Sequence, residues 1–86
     1  MDDAQLIRVR STAISLALAA RLKMPMDEAV AVMLEASCLL LAACAVQDAT
    51  TTGESYSSLL AKYEAFAGNY VSDRLTEIAK SGEALL

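Results

Sequence analysis

The sequence predicts an all-α chain of three long helices. Apolar residues recur at the three- and four-residue spacing of a helix face, no segment alternates in the manner of a strand, and two breaks interrupt the pattern. The breaks are Met24-Pro25-Met26 and the run DATTTG from Asp48 to Gly53. The remainder reads as one domain over residues 1–82 with a frayed tail at 83–86.

Helix 1 is expected over residues 3–23. Leu6, Val9, Ala13, Leu16 and Ala20 follow one face, and Ile7, Ile14 and Leu18 widen it. Asp2 and Asp3 stand at the positive end of the helix dipole, Arg21 and Lys23 at the negative end. Pro25 suits the first position of helix 2, expected over 25–47, because its missing N–H would have lacked a partner there anyway. So short a connection makes helices 1 and 2 an antiparallel hairpin. Helix 3, expected over 55–80 with Ser55 as its N-cap, carries the clearest amphipathic stripe. Its members are Tyr56, Leu59, Leu60, Tyr63, Phe66, Ala67, Tyr70, Val71, Leu75 and Ile78.

Helix 2 is apolar nearly all round, with Glu28, Ala31, Glu35 and Ala42 tracing its weakly polar edge. Its centre, ASCLLLAACAVQ from Ala36 to Gln47, holds no charge, glycine or proline. As a helix that stretch covers about 18 Å, against the roughly 30 Å of a hydrocarbon core. A full span would have to bury Glu35. Its many small residues suit close helix contact instead. In a chain of 86 residues that is 56% hydrophobic and 5% aromatic, helices 1 and 3 should cover two sides of helix 2 and leave a third. A second copy would cover it, giving a homodimeric bundle joined through helices 2 and 3. Leu40, Leu41, Tyr56, Tyr63, Phe66 and Tyr70 are the candidate residues for self-association or partner binding. The three tyrosines lie seven residues apart and form a ladder, set either at the core boundary or at a partner edge.

Several chemistries are disfavoured. A net charge of −4 argues against nucleic acid, whose phosphates call for Lys and Arg. Histidine is absent, so the usual neutral-pH base is missing, and no catalytic, cofactor-binding or metal-binding residues are assigned. Cys38 and Cys44 stand six residues apart, about 9 Å along a helix, too far to pair with each other, and read as two buried free thiols in a reducing cytosol. Ala17-Leu18-Ala19 imitates a signal cleavage site, but Asp2 and Asp3 contradict a positive leading region. The acidic helical format is similar to that of acyl carrier proteins. The Asp-Ser-Leu that takes their prosthetic arm does not occur here. What remains is a small non-enzymatic cytoplasmic interaction protein: an adaptor, chaperone or inhibitor of bacterial or phage type. It needs no cofactor and acts as a homodimer on a protein partner. The alternative is a small membrane-associated subunit with helix 2 in the bilayer.

Overall fold

The computed structural model describes residues 1–83 and contains three helices: α1, Asp3–Lys23; α2, Met26–Thr52; and α3, Tyr56–Ser81. The chain is all-α, with no strand among the described residues. Most of the expected tail, Ala84 to Leu86, lies outside them.

Each helix start has a local cause. Asp2 caps α1 by accepting from the Gln5 N–H at 2.8 Å, while the Gln5 side chain accepts from the Asp2 N–H at 3.0 Å. Two otherwise orphaned donors are thereby satisfied reciprocally. Pro25 immediately precedes α2, one position earlier than expected, and its carbonyl accepts from the Ala29 N–H at 3.0 Å. Ser55 caps α3 as expected, its hydroxyl accepting from the Ser58 N–H at 3.3 Å.

The end of α2 departs from the expectation. Asp48 to Thr52 was expected to form a connection, yet the helix continues through them for five residues. Three threonine hydroxyls turn back onto the final carbonyls: Thr50 to Gln47 at 2.8 Å, Thr51 to Gln47 at 3.0 Å and Thr52 to Asp48 at 2.8 Å. These bonds share carbonyls that the helix backbone already uses, and they occupy the hydroxyls within the last turn. Gly53 then stops the helix at φ 78°, a left-handed conformation that glycine adopts without a steric cost. The connection to α3 shrinks to three residues.

The chain divides into two compact units, one ending at Ala36 and one beginning at Ser37. In the first, Ala20 and Ala29 are the buried side chains, one on either side of the Met24-Pro25 connection. The covered face of α1 runs through Leu6, Arg10, Ala17 and Ala20, and the half-buried Met24 follows as its C-cap. Val9 and Leu16, expected to point inward, are exposed. The small Ala17 and Ala20 are covered, while the bulkier Leu16 beside them is exposed.

In the second unit, Ala45 is fully buried and Leu59 nearly so. The Tyr63 hydroxyl of α3 donates to the Asp48 carboxylate of α2. Asp48 precedes the end of α2 and Tyr63 lies two turns into α3, so this contact requires the chain to reverse direction between them. Lys62 pairs with Glu54 at 2.8 Å, and Arg74 reaches Glu83 at 2.7 Å beyond the left-handed C-cap at Gly82. These exposed pairs each contribute little, on the order of 0–1 kcal/mol.

Ala45 is fully buried within the second unit, where added methylenes would meet packed neighbours. Ala45→Leu should therefore lower the stability of the second unit by about 1–3 kcal/mol through overpacking. Thermal denaturation followed by circular dichroism checks this; an unchanged midpoint would show that the site has spare room.

Candidate functional site

The feature that needs explaining is the surface of α2. Eighteen consecutive residues of this helix have a mean hydropathy of 2.3, yet only 11% of that window is buried. It was expected to be covered on two sides by its own chain. Instead Ala29 and Ala45 are its only fully covered side chains, and Val30, Val32, Leu34, Leu39, Leu40 and Val46 are exposed. Leu40 is 69% exposed. The physical reason is that the covering contacts fall on alanines, so the large side chains point elsewhere.

The six candidate residues occupy different settings. Leu40 stands outward, while Leu41 is half-buried, as is Asp48 two turns further along α2. Tyr56, Phe66 and Tyr70 are exposed on α3, and the rings of Phe66 and Tyr70 approach to 6.1 Å between centroids in a tilted arrangement. Tyr63, the middle rung of the tyrosine ladder, is half-buried and holds Asp48. The ladder is therefore split. One rung ties α3 to α2, and the two beside it face outward.

Sequence reasoning overlooked Asp48, which it read as part of a loop. The available signal was its distance of four residues from Cys44 and seven from Leu41, which places all three within reach of one side of a continued helix.

The electrostatics of the contact are defined. Hydrogen bonding to Asp48 favours the neutral phenol of Tyr63, and partial burial and the carboxylate charge act in the same direction, pushing its pKa from 10.0 up to about 12. Cys38 and Cys44 are free thiols and both exposed, which corrects the expectation of buried ones. They lie on the uncovered helix rather than in a core. Among the described residues, no three His, Cys, Asp or Glu side chains gather in a group that could hold a metal ion.

No family model, curated protein or solved structure matches this chain. Its own surface is thus the guide to what it does. That surface offers an extended apolar helix, an aromatic pair on α3 and the half-buried Tyr63–Asp48 contact.

The Tyr63–Asp48 contact has a pH signature. A phenol whose pKa is raised in the folded state contributes stability that is present in full below pH 10, its unfolded value, and is lost as pH climbs towards about 12. Absorbance titration near 295 nm should show a phenol ionising late. Asp48→Asn should bring that ionisation back towards 10, and Tyr63→Phe should abolish it. A late transition that survives Tyr63→Phe would assign the shift to another residue.

Proposed function

We propose that this protein is a small non-enzymatic interaction module, an adaptor, chaperone or inhibitor of bacterial or phage type, that works in the cytoplasm as a homodimer. In this reading α1 and α2 pack as an antiparallel hairpin about Met24-Pro25, and residues 1–82 act as one domain once assembled. Helices α2 and α3 meet the second copy, and an exposed apolar surface remains for a protein partner.

The observation that carries the reading is the exposure of large apolar side chains on all three helices. Ile7 is 67% exposed, Leu39 64% and Leu75 61%. Apolar patches of this extent on a small soluble protein mark an interaction surface.

A second reading draws on the hydropathy of α2. The helix is 27 residues long, about 40 Å, and its window of mean hydropathy 2.3 is long enough to cross a bilayer. Glu35, near the middle of the helix, weighs against it, because a carboxylate there costs a few kcal/mol in lipid. Much of the remaining window is Ala, Ser and Cys, which gain little from lipid.

Light scattering on protein purified without detergent separates the two. A dimer of twice 9.1 kDa supports the proposal, and a folded monomer at micromolar concentration contradicts it. Material that stays soluble only in detergent and floats with lipid vesicles favours the membrane reading. Leu40→Glu should weaken the dimer more than tenfold, because excluding one Leu from an apolar contact removes about 1.5–3 kcal/mol per copy. A dimer of unchanged affinity would place Leu40 outside the contact.

A further inference from the structure

The uncovered side of α1 combines an apolar ridge with a charge of definite sign. Ile7, Ile14, Leu18 and Leu22 are all exposed, Leu22 at 89%. At about 100° per residue they fall within about 80° of the helix circumference, on a ridge about 22 Å long from Ile7 to Leu22. The ridge is turned roughly 110° from the face through Leu6, Arg10, Ala17 and Ala20 that the chain covers. Arg8 and Lys23 stand on its far edge and Arg21 on its near edge, and all three are exposed.

Charge separates this helix from the other two. The chain holds 7 Lys and Arg against 11 Asp and Glu. Of the cations, Arg8, Arg10, Arg21 and Lys23 lie on α1, whose one carboxylate is Asp3. By contrast α2 has no Lys or Arg, and α3 sets Lys62, Arg74 and Lys80 against Glu64, Asp73 and Glu77.

We infer that the ridge receives one amphipathic helix of a protein partner, with an apolar stripe edged by Asp and Glu. The inference rests on the reading above of a module with a protein partner, and says which surface the partner meets and with what chemistry. A ridge of about four turns matches a helix read at i, i+3, i+4 and i+7. Carboxylates along the edges of that stripe meet Arg8, Arg21 and Lys23, which selects the partner more than it adds affinity. Anionic lipid is the weaker occupant, because an extended sheet of headgroups attracts α1 but repels a chain whose net charge is −4. A single helix laid along α1 responds mainly to the charges of α1, since those beyond about 8 Å are screened at physiological salt.

The test uses the full chain and two labelled peptides of about 18 residues, five helical turns. They share one leucine stripe at three- and four-residue spacing and differ at its edges, with Glu in one and Lys in the other. Anisotropy titration should give the Glu peptide a Kd about tenfold lower, a preference that shrinks as salt rises from about 50 to about 500 mM. Non-specific attraction to an acidic chain would favour the Lys peptide, so the sign of the preference reports α1 itself. Arg8→Glu combined with Lys23→Glu should abolish the preference. Leu18→Asp, at an exposed position, should weaken the Glu peptide about tenfold with helicity unchanged. Equal binding of both peptides, a preference for Lys, or binding that survives Leu18→Asp overturns the inference. Co-sedimentation with phosphatidylserine vesicles that the Arg8→Glu, Lys23→Glu variant loses also overturns it, in favour of lipid. A fall from dimeric to monomeric mass in that variant overturns it in favour of the second copy. Monomeric mass of the unaltered chain with the Glu preference intact contradicts the proposed dimer and upholds the ridge; dimeric mass with no preference does the reverse.

Discussion

The structure depends on a mismatch between the apolar surface of α2 and what one chain can cover. Among the described residues, the buried side chains are Ala20, Ala29, Ala45 and the larger Leu59. Alanine contacts let backbones come close, but each removes little apolar area from water. Burial of this kind offsets only part of the entropy lost on ordering the chain, since each ordered residue costs on the order of 1–2 kcal/mol. Leu6 and Leu41 are half-buried and add to it, while Leu34, Leu39 and Leu40 are exposed. In the proposed dimer, a second copy would supply the burial that one chain lacks.

Within the second unit, one polar contact fixes what alanine packing leaves loose. Ala45 permits α2 and α3 to approach, and Tyr63 reaching Asp48 fixes how far along each other they sit. This division of labour also explains the split tyrosine ladder. The middle rung is committed to the chain's own fold, while Tyr56 and Tyr70 keep their rings on the surface, where Phe66 joins Tyr70.

The helices were legible in the sequence because their boundaries are set by nearest neighbours. Asp2 with Gln5, Pro25, Ser55 and Gly82 each act within a few residues, and the bounds of α1 follow directly from them. The end of α2 was not legible, because Asp48 to Thr52 has the composition of a turn, and the backward bonds of its threonine hydroxyls exist only once the helix does. Burial was read least well. Spacing alone identifies an apolar stripe, but on a helix apolar nearly all round it does not say which side meets the chain itself. The choice of alanine faces for internal contact left Val9, Leu16 and both thiols outside, against expectation.

The central claim is that folding and association are one event. Urea denaturation followed by circular dichroism at two protein concentrations, about 1 and 100 μM, tests it most directly. If the second copy completes the core, the midpoint moves to higher urea as the concentration rises, because mass action stabilises whatever only the folded chain can bind. A midpoint identical at both concentrations, with the helices formed at each, would contradict the account and show that four buried residues suffice for one chain alone.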